Sequence, residues 1–91
     1  MEKIKVIFRK IENEMVAFFP ELPANPGYML SYQHIGQHGE ADLGFFFTTE
    51  KANLEEYSSL LKELKSIYSD CELLVRQKLH YRDLTEKAWK R

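Results

Sequence analysis

Apolar and polar positions alternate at the start of the chain. Ile4, Val6 and Phe8 are interleaved with Lys3, Lys5 and Arg9, the period of two that predicts a strand, and Ile7 and Ile11 add apolar weight on its second face. Glu12-Asn13-Glu14 is short and polar, and Asn tolerates left-handed backbone angles, so a hairpin onto Met15 to Phe19 is expected. That second segment is apolar throughout, as a central strand covered on both faces must be: by a helix on one side and by a loop or a partner chain on the other. Pro20 lacks the N–H a ladder needs and is expected to end it, with Pro23 and Pro26 stiffening a loop that closes at Gly27.

Tyr28 to Ile35 reads as a third strand, with Tyr28, Leu30, Tyr32 and His34 on one face and Met29, Ser31, Gln33 and Ile35 on the other. Gly36-Gln37-His38-Gly39-Glu40 reads as a turn, because two glycines supply freedom that neither strand nor helix wants. The run Leu43-Gly44-Phe45-Phe46-Phe47 fits either a short strand or an apolar loop on the core.

From Leu54 to Tyr68 the pattern changes period. Leu54, Tyr57, Leu61, Leu64 and Tyr68 recur at spacings of three and four, with Leu60 and Ile67 widening the stripe. Asn53 is a good N-cap with Glu56 three residues on, and Glu55 and Glu56 suit the helix dipole, so a helix is predicted here. Cys71, Leu73 and Val75 alternate with Glu72, Leu74 and Arg76 as a last strand. Tyr81, Leu84 and Ala88, with Trp89 beside them, fit a short second helix over the tail from His80 to Arg91.

These elements predict an α+β fold of order βββαβ: a single-layer sheet of four strands, antiparallel or mixed, with one main helix packed on it. A crossover to the last strand places it beside the first and parallel to it, in the order 3-2-1-4, with an antiparallel edge position as the alternative.

Composition narrows the class. Ninety-one residues predict one domain over 1–91, with a core over 1–76 and a basic tail over 77–91. A chain of this size buries roughly 60–65% of its unfolded surface, enough for a core without metal or disulfide. A chain 44% hydrophobic and 30% charged is expected to fold, because disordered chains combine lower hydrophobicity with higher net charge. The single Cys71 has no second cysteine for a disulfide or a thiolate metal site, and is expected to be a small buried apolar residue. The apolar run near the N-terminus is too short and too charged for a signal peptide or a membrane span, so a cytoplasmic protein without membrane contact is expected.

The net charge of −1 is unevenly spread: residues 1–50 carry four basic and seven acidic side chains, whereas Arg76, Lys78, Arg82, Lys87, Lys90 and Arg91 face only two acidic residues in the tail. Such a tail can contact phosphates, but no helix-turn-helix, zinc-finger or RNA-recognition signature accompanies it, and an ordinary solvated helix face is the simpler reading.

Candidate chemistry concentrates between Tyr28 and His38. Tyr28, Tyr32 and His34, with Gln37 and His38 of the turn, can line a ligand pocket in which His34 acts as acid or base. The plainer reading is aromatic core, with His34 bonded to the turn and His38 exposed. His34 and His38 have the spacing of helix-borne zinc ligands, but Gly36 and Gly39 argue against a helix, and in a strand the two lie about 13 Å apart. They converge only if the turn folds His38 back, with Glu40, Asp42 or His80 as a third ligand. Phe45, Phe46 and Phe47 read as core or loop anchors. A phosphate-binding glycine loop and a G-x-S-x-G elbow are both missing from the sequence, which weighs against an enzyme, and no cofactor is implied.

The pieces Phe19-Pro20-Glu21-Leu22-Pro23-Ala24 and Tyr32-Gln33-His34-Ile35-Gly36-Gln37-His38-Gly39, followed by Glu55-Glu56-Tyr57 with Leu61, Glu63 and Leu64, resemble a family of short bacterial proteins of unknown function. Its members recur in gut Bacteroidetes and related anaerobes, often within mobile elements, and the likeness spans nearly the whole chain. It implies context rather than an activity. A weaker likeness, carried by Phe19 to Pro23 and by element order over Lys3 to Arg76, is to the HicB-type antitoxin domain, which implies toxin neutralisation. This chain departs from that family in its longer insertion through Gly39 and in lacking room for a DNA-binding module after Arg76.

The leading expectation is therefore a small interaction or regulatory module, self-associating as a homodimer through a sheet edge or an uncovered apolar face. The alternatives are a small-molecule or metal site at His34 and His38, and nucleic-acid contact through the basic tail.

Overall fold

The computed structural model describes residues 2–23, 28–33 and 37–79. Its order is β1 (Glu2–Ile11), β2 (Glu14–Pro23), β3 (Met29–Gln33), β4 (Gln37–Ala41), α1 (Leu43–Thr48), β5 (Glu50–Lys51), α2 (Leu54–Ile67) and β6 (Cys71–Arg76). The class is α+β as expected, but among the described residues the sheet has six strands rather than four and carries two helices.

The β1–β2 hairpin forms through a two-residue turn. Ile11 pairs with Glu14, and both Glu12 (φ 49°) and Asn13 (φ 71°) are left-handed, the backbone twist that suits a tight hairpin. Alternation then sorts side chains to two faces. Ile4, Val6, Phe8, Ala17, Phe19 and Tyr32 pack with Leu60 and Leu64 of α2, while Ile7, Val16, Phe18, Met29 and Ala41 pack with Phe46 of α1. The apolar run of β2 is thus covered on both faces, and its second cover is a helix, joined by the half-buried Leu79.

Pro20 does not end β2. The strand continues to Pro23 through a register shift, with Phe19 opposite Leu30 and then Pro23 opposite Met29. A bulge is where a sheet accepts a residue that has no N–H to donate. The expected turn at Gln37–Glu40 is instead β4, an edge strand on β3 with Ser31 opposite Gly39 and Tyr32 opposite His38. A Cβ at Gly39 would lie at ordinary contact distance, 3.5 Å, from Ser31 Oγ. Gly39 therefore gives this strand no steric exemption, and the ladder itself holds it extended.

Residues 43–48 form neither strand nor loop. The Asp42 carboxylate accepts from the Phe45 N–H at 2.7 Å and caps a six-residue helix. Phe46 enters the core against Phe18, with ring centroids 5.0 Å apart, under the Arg9 guanidinium. Arg9 Nε donates to Thr49 Oγ1 at 2.9 Å and Nη2 to the Thr49 carbonyl at 2.5 Å, fastening the end of α1 to β1. Burial holds the Arg9 pKa below its ordinary value.

Helix α2 begins as the capping-box spacing predicts: Asn53 Oδ1 accepts from the Glu56 N–H and Glu56 Oε1 from the Asn53 N–H, each at 2.9 Å. Its buried face is narrower than the apolar stripe. Leu60 and Leu64 are fully buried, Tyr57 stacks on Phe8 at 4.3 Å, and Leu54 and Ile67 at the two ends are exposed.

Strand β6 lies beside β1 and parallel to it, from Glu2 opposite Cys71 to Ile7 opposite Arg76, which resolves the two expected placements. Cys71 is half-buried rather than buried. The expected tail helix lies outside the described residues. Among the described residues no helix is long and apolar enough to cross a membrane.

Candidate functional site

Strand pairing and helix packing bring four polar side chains together where β3 and β4 meet the end of α2. Tyr32 points from β3 toward the helix and is fully buried, so its hydroxyl must find a partner inside the protein. It donates to the Glu63 carboxylate of α2. His38, its cross-strand neighbour on β4, lies 4.6 Å from Tyr32 between ring centroids. On the outer side His38 Nε2 sits 2.9 Å from Tyr68 Oη, and the Tyr68 ring leans on Phe19 at 5.6 Å. The cluster therefore runs from a buried phenol–carboxylate contact to an exposed imidazole.

Tyr68 caps the C-terminal end of α2, and burial, with the Cys71 sulfur a lesser cause, raises its pKa. The phenol stays protonated and lies within hydrogen-bond distance of His38 Nε2. The Cys71 thiol is also pushed up, first by burial and then by Asp70, whose carboxylate lies 3.6 Å from the sulfur. A thiol held protonated is a poor nucleophile. What this corner offers is hydrogen bonding at the exposed His38 and the half-buried Tyr68.

Of the residues singled out in the sequence, Tyr32 and His38 meet. Tyr32 is core rather than a pocket wall, because α2 covers that face of the sheet. Tyr28 precedes β3 and is 39% exposed. Gln37 pairs with Gln33 at the start of β4, and His34 lies outside the described residues. Among the described residues, no group of three or more His, Cys, Asp and Glu side chains is placed to hold a metal. Arg76 and Lys78 are exposed, and Arg76 Nη1 donates to the Val75 carbonyl at 3.1 Å. Arg82, Lys87, Lys90 and Arg91 lie outside the described residues.

Glu63 and Tyr68 complete the cluster without having been read as site residues. The available signal was Glu63 three residues after Leu60, which places a carboxylate on the shoulder of the buried stripe.

A second feature is apolar. In α1 the three successive phenylalanines point in directions about 100° apart, the step implied by 3.6 residues per turn. Only Phe46 is inside, at 2% exposure, and it leaves Phe45 at 38% and Phe47 at 67% exposed on either side. Phe45 lies 6.0 Å from Phe18 and Phe47 lies 5.4 Å from Phe46, so both rings are backed by core aromatics.

Comparison with family models, curated proteins and solved structures finds no match to this chain.

Proposed function

We propose that this chain is a small interaction module that acts by binding another protein chain, with the outward rings of Phe45 and Phe47 as a principal contact. The observation that carries the reading is the fastening of α1. Arg9, Thr49 and Phe46 fix the helix to the sheet, so two large aromatic side chains are presented at little further cost in order. Backed, exposed aromatics are the residue type from which interface hot spots are built. The antitoxin likeness would make a toxin one such partner; what supports it is a hairpin and third strand followed by a main helix and a last strand beside the first, although β4, α1 and β5 intervene before that helix.

The test uses the full chain as bait, comparing the captured proteins with those of a Phe45→Ser/Phe47→Ser double variant of unchanged melting temperature. A specific partner lost with the two rings supports the reading. An identical captured set counts against it.

The cluster of Tyr32, Glu63, His38 and Tyr68 favours a second reading, a site for a small polar ligand at the His38 rim. Native mass spectrometry of the full chain would then show a retained small molecule that is lost in His38→Ala.

A further inference from the structure

Strand β6 pairs with β1 along its whole length, and among the described residues no strand lies on its other side. Natural edges are protected by central charges, proline, bulges or shortness. The opposite edge of the sheet, β4, is of that kind, with exposed His38, Gly39 and Glu40. β6 is not: its middle is Leu73-Leu74-Val75, all half-buried, and its charges sit only toward the ends, at exposed Glu72 and Arg76. Residues 77–79, which follow β6, lead toward the other layer, where Leu79 packs against the cluster of Ile7 and Phe18.

The order Glu-Leu-Leu-Val-Arg is also self-complementary when reversed. We infer that β6 pairs antiparallel with β6 of a second copy, about a two-fold axis through Leu74, joining the two sheets into one. In that register Glu72 faces the partner's Arg76, Leu73 faces the partner's Val75, and Leu74 faces the partner's Leu74. By symmetry each unlike pair occurs twice. Sliding by one residue in either direction sets charge against an apolar or uncharged side chain, Glu72 against Val75 or Leu73 against Arg76. Centring on Val75 sets Leu74 against Arg76, and centring on Leu73 sets Glu72 against Leu74. Only the Leu74 register matches every pair from 72 to 76. On the other flank Glu72 is opposite Lys3 of its own β1, so it would sit between two cations. Six residues per edge make a small interface, so the dimer is expected to be concentration-dependent.

This inference rests on the reading of the chain as an interaction module, and the experiment separates the two. Sedimentation equilibrium of the full chain is run over a wide concentration range for wild type, Leu74→Lys, Glu72→Arg and the charge swap Glu72→Arg/Arg76→Glu. Leu74→Lys places two ammonium groups on the axis and should give a monomer. Glu72→Arg turns both cross-strand ion pairs into repulsions and should weaken dimerisation about tenfold or more, judging from the size of cross-strand pair effects. The swap keeps the same new arginine beside Lys3 but restores both pairs, so dimerisation should return. That recovery separates lost pairing from a damaged fold.

A wild-type dimer indifferent to all three variants overturns the inference and leaves the interaction reading standing on another surface. A wild-type monomer that still captures a partner through Phe45 and Phe47 does the same. A monomer that captures nothing dependent on those rings overturns both.

Discussion

A fully buried tyrosine must place its hydroxyl on a partner, and at Tyr32 the partner is a carboxylate 31 residues away in sequence. Removing the hydroxyl takes that hydrogen bond from the half-buried Glu63 carboxylate. Tyr32→Phe should therefore destabilise the fold by about 1–3 kcal/mol despite adding no bulk, as chemical denaturation would measure. An unchanged midpoint would mean that Glu63 reaches solvent without cost. Arg9 illustrates the same rule from the cationic side. Its guanidinium is partly buried, and two hydrogen bonds to Thr49 and the face of Phe46 compensate its lost hydration.

Among the elements, the β1–β2 hairpin keeps a local cost. Glu12 is left-handed, a conformation in which a side chain beyond Asn or Gly crowds its own backbone. Replacing Glu12-Asn13 by Asn-Gly, the dipeptide best suited to such a turn, should stabilise the protein by about 1 kcal/mol, seen as a raised thermal midpoint. Helix α1 presents the opposite case, since six residues with a glycine would not hold a helix in isolation. Its order comes from the Asp42 cap and from the pocket that Arg9 and Phe18 make for Phe46.

Across the whole molecule, Lys10 of β1 and Glu56 of α2 tie the sheet to the start of the main helix, Nζ to Oε2 at 2.5 Å. The hydrogen bond to Glu56 raises the Lys10 pKa above 10.5, and the hydrogen bond to Lys10, then that to the Asn53 N–H, lowers the Glu56 pKa below 4.5. A lowered carboxylate stabilises the fold above its unfolded value and loses that contribution as pH falls through the folded value. The raised amine stabilises below its unfolded value and loses its share as pH rises through the folded one. Lys10→Met should therefore lower the melting temperature at neutral pH, with the difference from wild type closing well below pH 4.5. A difference unchanged in acid would assign the loss to packing of the lysine stem.

The sequence by itself determined the elements whose signals are local. The alternation in β1, the unbroken apolar run of β2, the polar Glu12-Asn13 turn, the Asn53/Glu56 capping box and the 71–76 alternation are each complete within a few neighbouring residues. Tyr32 and His38 were each singled out as candidates, one on the third strand and one in the turn after it, but their contact came only with the β3–β4 ladder. Tertiary structure alone decided the short or contrary segments. Gln37–Ala41 has no apolar alternation and is a strand because β3 offers it a ladder. Leu43–Thr48 has strand-prone phenylalanines and is a helix because one of them fills a slot in the core. Pro20 would end an isolated strand, yet sits where the ladder already shifts register. Glu63 joined the cluster only when α2 came down on β3. Periods and caps act between neighbours along the chain and can be read there, whereas ladders, core slots and buried partners exist only once distant residues have met.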